Sequence, residues 1–130
     1  MHSNVHISKY AQIGDFVWIF PYVVHNNDPH PPSNTKKSVI IKNFVSISTM
    51  SVILPGVILE KDTLIGAKSL VSKNTSEGSL LAGNPAKKIC MASKIKLKDD
   101  SKKSAYSWRR HFHRSYPFDI VNDWKKEFSI

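Results

Sequence analysis

The chain has one cysteine, Cys90, and so cannot form an internal disulfide. This agrees with a reducing compartment, and Cys90 is read as a small core residue. No run of eighteen apolar residues occurs, which leaves no candidate for a membrane-spanning helix. The N-terminus, Met1-His2-Ser3-Asn4, lacks the basic-then-apolar pattern of a signal peptide, so the expected location is the cytoplasm. There is no Asn-Gly or Asp-Gly pair to mark tight hairpins, and apolar spacings of three and four are not sustained until near the C-terminus. Neither a hairpin protein nor a helical bundle is expected. Negative charge is scarce: 10 acidic residues face 19 Lys and Arg, a formal charge of +9. That excess points to an anionic partner such as nucleic acid, acidic lipid or a phosphorylated cofactor. No nucleic-acid-binding motif and no regular basic-aromatic array accompanies it, so nucleic acid is not expected. Much of the basic excess falls late, from Lys87-Lys88 to Arg109-Arg110, where a solvated tail accounts for most of it.

What the chain does have is a period. Aliphatic residues stand six apart at Ile7, Ile13 and Ile19, then, after an interruption, at Ile41, Ile47, Ile53, Leu59, Ile65 and Val71. Two places before each lies a small or β-branched residue: Val5, Ala11, Val17, Val39, Val45, Ser51, Val57, Thr63 and Ser69. A separation of two puts both on one face of an extended strand, and a repeat of six demands a turn after every short strand. The solution is a triangular coil, three hexads to a circuit, with successive circuits stacked as parallel strands. Gly14, Gly56 and Gly66 fall where a corner calls for positive φ.

The register breaks between Val23 and Val39, sixteen residues apart and no multiple of six. Residues 25–38 must therefore leave the wall as an excursion. They contain three prolines, two histidines (His25 and His30), Asp28 and several amides including Asn27, and no aliphatic residue. Polar groups on a stiff excursion from a rigid scaffold are where chemistry is commonly placed. Either histidine could take a proton near neutral pH, and Asp28 could orient an imidazole or bind a substrate amine. His25 also occupies the inward phase of the hexads, which is the position of a core residue.

Together these residues resemble the hexapeptide-repeat acyltransferases, near the sugar-acetyltransferase branch of maltose and galactoside acetyltransferases. The resemblance covers about residues 5–92. It rests on the repeat, on His30-Pro31 in the loop, on Leu54-Pro55-Gly56-Val57, on the run from Ile65-Gly66-Ala67 to Ser72-Lys73, and on Leu81-Ala82-Gly83-Asn84-Pro85-Ala86-Lys87-Lys88-Ile89. It implies an all-β, left-handed parallel β-helix with a short helical tail, and a homotrimer with acetyl-CoA as acyl donor in the groove between neighbouring coils. It implies His30 as the base toward a sugar hydroxyl, and Thr49, Ala67, Ser72, Lys73 and Lys87 as cofactor contacts. A second branch acting on nucleotide-linked amino sugars is similar through Asn27-Asp28 and Pro31. There the carboxylate and amide grip the sugar, and no protein base is required. The acceptor implied is thus a small sugar or nucleotide-sugar, hydroxyl or amine, with a role in surface-polysaccharide synthesis. The family's Trp-Ile-Gly is here Ser46-Ile47-Ser48, and the chain begins directly in the repeats, without the branch's N-terminal helical segment.

Beyond residue 95 the repeat stops. Residues 96–103 read as a polar linker, and Phe118, Val121, Trp124 and Phe128 as one face of an amphipathic helix following Ser115 and Pro117. The basic aromatic stretch Trp108-Arg109-Arg110-His111-Phe112-His113-Arg114 could meet an anion or a membrane surface, though packing is its commoner use. Two further readings have some support. His25-x4-His30 resembles two ligands of the γ-type carbonic anhydrases, zinc enzymes that share the coil. A noncatalytic coil serving as a scaffold is the other. The reading adopted assigns no metal.

Overall fold

The computed structural model describes residues 1–30, 34–99, 102–105 and 117–127. They divide into two compact units, Met1–Ala92 and Ser93–Ile130. In the first, nine two-residue strands follow one another: β1 (Gln12–Ile13), β2 (Trp18–Ile19), β3 (Val24–His25), β4 (Ile40–Ile41), β5 (Ser46–Ile47), β6 (Val52–Ile53), β7 (Ile58–Leu59), β8 (Leu64–Ile65) and β9 (Leu70–Val71). They are completed by β10 (Ser79–Ala82) and β11 (Lys87–Met91).

The strands sort into three sheets, ordered β1-β4-β7, β11-β10-β8-β5-β2 and β3-β6-β9. The chain visits the three in rotation, so six residues make one side and eighteen one circuit. The sixteen-residue gap is absorbed by the excursion between β3 and β4, which returns the chain to the correct sheet. Pairing is parallel and holds the hexad register, as in Ile19↔Ile47, Ile47↔Ile65 and Ile13↔Ile41. Leu81 continues the column beneath Ile65.

The second residue of each strand points inward. Ile19, Ile41, Ile47, Ile53, Leu59, Ile65 and Val71 are fully buried, and the series two places earlier, Val39, Val45, Ser51, Val57, Thr63 and Ser69, is buried with them. Each such aliphatic contributes roughly 1.5–3 kcal/mol. Ile13 departs from the expected core and is 37% exposed. β1 is the edge of its sheet, so no rung covers it. A buried hydroxyl ties two circuits together: Ser51 Oγ donates to Gly66 O at 2.9 Å, and Ser69 Oγ closes its own corner by donating to the same oxygen at 2.6 Å.

The corners differ from the expectation. The left-handed conformation recurs every six residues at Tyr10, Phe16 and Tyr22, and again at Phe44, Met50, Gly56, Asp62 and Lys68, with φ from 55 to 77°. Of the three glycines expected there, only Gly56 takes it. A side chain in this conformation costs roughly 1–2 kcal/mol, which the stacked core offsets. Gly14 serves close approach instead: a Cβ there would meet the backbone N of Asn43 at 2.9 Å and overlap its side-chain oxygen. That oxygen accepts a hydrogen bond from Asp15 N at 2.8 Å. Gly14→Ala is therefore expected to destabilise the fold by about 1–3 kcal/mol, read from the urea midpoint.

The last turn was not foreseen. β10 and β11 pair antiparallel, joined at Gly83 and a cis Asn84–Pro85 bond. Cys90, on β11, is a free thiol of intermediate exposure. A 3-10 turn, Ala92–Lys94, starts on the last residue of the first unit, and the second unit contains an antiparallel bridge between Lys96 and Ser104. Helix α1 (Phe118–Glu127) follows Pro117, whose carbonyl accepts from Val121 N at 3.1 Å. Val121 is buried, whereas Phe118 is exposed. The stretch Trp108 to Arg114, together with Ser115 and Phe128, lies outside the described residues. Among the described residues no helix is long and apolar enough to cross a membrane.

Candidate functional site

Three segments leave the same sheet at the same edge. Residues 26–38 follow β3, Leu54-Pro55-Gly56 follows β6, and Ser72-Lys73-Asn74 follows β9. The excursion is tied to this edge by its backbone. Lys37 N donates to Asn27 O at 3.0 Å, closing the loop at its base, and Gly56 N donates to Lys37 O at 3.0 Å, seating it on the corner below. Asn27 Nδ2 reaches Lys9 O at 3.4 Å on the corner above. Asn74 Oδ1 accepts from Ile58 N at 2.8 Å, binding the third corner to the wall.

Within the loop Lys36 Nζ donates to Asp28 Oδ2 at 2.7 Å. Asp28 Oδ1 is buried and has no partner. One carboxylate oxygen is thus neutralised and held, and the other is left as a free acceptor. His30 is exposed beyond them, next to Pro31, which lies outside the described residues.

His25 is not a catalytic candidate in this fold. Its side chain is fully buried among the inward residues, in register with Ile53 below and beside the His6 bridge above. Neither ring nitrogen has a hydrogen-bond partner. Burial, with the neighbouring His6, pulls its pKa down from 6.5 to about 4. It is a neutral core residue, unable to meet an acceptor outside the coil. The same placement defeats the zinc reading, because His25 faces inward while His30 is exposed. Among the described residues no cluster of three or more potential metal ligands occurs.

Of the five residues expected at a cofactor, three converge. Ser72, Lys73 and Lys87 line one open cleft of about 420 Å³, with Asn74, Pro85 and Lys88. The hairpin brings them together by folding Lys87 back beside Ala82. Thr49 and Ala67 are not in that cleft. They are stacked on a neighbouring corner, where Thr49 O accepts from Lys68 N at 3.0 Å. Sequence reasoning passed over Lys36, Asn74 and Lys88. Lys88 was signalled by its place beside Lys87, whereas nothing in the loop's spacing distinguishes Lys36 from Lys37.

No family model matches the chain. Among curated proteins it is 38% identical over 101 residues to the 2,3,4,5-tetrahydropyridine-2,6-dicarboxylate N-acetyltransferase of Staphylococcus aureus, covering 78% of this chain and 35% of that protein. Among solved structures, a galactoside acetyltransferase in complex with coenzyme A is 27% identical with a TM-score of 0.62, covering 78% of this chain and 62% of that one. A maltose O-acetyltransferase from Clostridium difficile 630 is 25% identical with a TM-score of 0.57, covering 68% and 59%. The chain thus spans about a third of the curated relative and about three fifths of these solved chains. In its hexad register, its three sheets of parallel strands visited in rotation and these likenesses, the chain is similar to the hexapeptide-repeat acetyltransferases.

Proposed function

We propose that the protein transfers an acetyl group from acetyl-CoA to a hydroxyl or amino group of a sugar, as a homotrimer of left-handed coils with a place in surface-polysaccharide synthesis. The observation that carries this reading is a shared edge. The loop bearing Asn27, Asp28 and His30 and the segment Ser72-Lys73 leave the same three-stranded sheet, two strand spacings or roughly 10 Å apart, and Lys87, on β11 of the five-stranded sheet, lines the same cleft as Ser72 and Lys73. An extended thioester arm can bridge that separation, with its phosphates among the lysines and its acyl carbon at the loop. The galactoside acetyltransferase relative binds coenzyme A, which supports the donor.

In the reaction His30 takes the proton of the acceptor hydroxyl, whose oxygen adds to the thioester carbonyl carbon. Collapse of the adduct breaks the carbon–sulfur bond, and the departing thiolate receives a proton, closing the balance. Lys73 and Lys87 act as point charges toward the anionic end of the donor.

Transfer to nitrogen is a second reading, favoured by Asp28. Its unpartnered buried Oδ1 can accept a hydrogen from an amine, and the curated relative is an N-acetyltransferase. An amine free of its proton needs less help from a base, so this version depends more on Asp28 and less on His30.

The donor assignment is checked by titrating CoA into the double variant Lys73→Ala, Lys87→Ala. Its dissociation constant is expected to rise about tenfold or more, equivalent to ~1.4 kcal/mol, and the loss should shrink in high salt. An unchanged affinity would remove the cleft from the donor site.

A further inference from the structure

We propose that Lys36 is a positioning residue that cancels the charge of Asp28, so that the site takes an amine acceptor in its neutral, reactive form and turns away the ammonium. This deepens the reading of transfer to nitrogen and rests on it for the reaction. Closure of the loop fixes which lysine does this. Lys37 N donates to Asn27 O at 3.0 Å, so the next residues out on either side, Asp28 and Lys36, face each other, with Nζ 2.7 Å from Oδ2. The neighbouring Lys37 is turned away. Its Cβ and Cδ lie 3.3 and 3.4 Å from the place a Cβ on Gly56 would take, so its stem lies along the corner below. That corner, Leu54-Pro55-Gly56, carries no charge of its own. On the corner above, Lys9 holds its ammonium 4.9 Å from the centroid of the Tyr10 ring. On the third corner Lys73 lines the donor cleft. In the wall His25 is neutral, and His6 above it and His30 beyond the pair are exposed.

The consequence is electrostatic. An uncompensated carboxylate binds an ammonium, and an ammonium has no lone pair with which to attack a thioester. With Lys36 in place the pair has no net charge, while Oδ1, which has no partner, is left to accept an N–H. A nitrogen bonded to that carboxylate lies about 4–7 Å from Lys36 Nζ, near enough for a second cation to be disfavoured. A neutral amine meets no such repulsion. Its lone pair adds to the carbonyl carbon, the carbon–sulfur bond breaks, and the proton lost by nitrogen ends on the departing thiolate. The two side chains are 46% and 27% exposed, and ion pairs of that kind add little to folding stability, so the fold tolerates their removal.

The test is the pH dependence of kcat, read as free thiol released from acetyl-CoA by the full chain, with glucosamine, galactosamine and the 3- and 4-amino-deoxyhexoses as acceptors and unsubstituted hexoses beside them. Lys36→Met is expected to move the midpoint for an amine toward alkaline pH by about 0.5–2 units, and by less in high salt. Lys36→Gln should move it the same way, Lys36→Arg should keep the wild-type midpoint, and the profile on a hydroxyl acceptor should not move. In the double variant Lys36→Met, Asp28→Asn both charges are gone, and the midpoint should return toward the wild type even though turnover is low. A lysine that only braces the loop would show no such return. An amine profile unmoved in Lys36→Met and Lys36→Gln would overturn the role of Lys36 and leave transfer to nitrogen standing. Transfer by the wild type to hydroxyls alone would overturn both and leave acetyl transfer standing, and no thiol release with any sugar would overturn all three.

Discussion

On the proposed reading, replacing His30 by alanine is expected to lower the turnover number by about 10²–10⁴-fold on a hydroxyl acceptor while CoA binds as before, because general-base help is worth that much and the residues of the proposed donor cleft are untouched. The imidazole stands exposed on a loop that is hydrogen-bonded at its base and salt-bridged across by Lys36 and Asp28. Steady-state release of free thiol, with acceptor and donor varied separately, reads the loss. The fall should lie in kcat, with the KM for acetyl-CoA unmoved. On an amine acceptor the same variant should lose far less, because a neutral amine attacks without a base. Full activity on both acceptors would take His30 out of the mechanism.

Replacing His25 by leucine is expected to stabilise the protein by about 1–3 kcal/mol at neutral pH, since it removes two buried ring nitrogens without partners and keeps a similar volume against Ile53. The effect on acid stability is larger. With its pKa lowered from 6.5 to about 4, the folded state keeps His25 neutral while the unfolded chain protonates it. The wild type is therefore fully stable above about pH 6.5 and loses stability as the pH falls toward 4, by about 3 kcal/mol from this residue. His25→Leu removes that part of the loss. Urea midpoints at pH 7.5 and pH 4.5 should differ less in the variant than in the wild type. Turnover should stay within about twofold, because the side chain faces the coil interior. A folded His25→Leu variant without activity would return this histidine to the reaction.

These two residues also mark how far the sequence can be read. The hexad register predicted the alternation of short strand and corner and, from Val39 on, the burial of both series, whereas Ile13 is exposed and His25, placed by the register at the start of the excursion, stays in the wall on β3. Physically that information is local. A period of six fits neither helix nor hairpin, and an aliphatic at each sixth place has to be buried. The same register put His25 in the inward phase, yet its chemistry argued for a place outside, and only packing decides between them. Glycine was the natural guess for strained corners, and it proved right at Gly56 alone. Elsewhere Tyr, Phe, Met, Asp and Lys take the strain, because the stacked circuits over-determine the backbone.

The closing hairpin shows the same limit. Gly83-Asn84-Pro85 signals a turn, but not that the chain reverses there to lay Lys87 beside Ser72 and Lys73. The pairing of Lys36 with Asp28 likewise depends on how the loop closes between Asn27 and Lys37. By itself the sequence determined the repeating wall and the place of its interruption, since those follow from periodicity and burial. Which polar groups share a site was decided by the tertiary structure, because residues eighteen apart in the chain become neighbours only when the circuits stack.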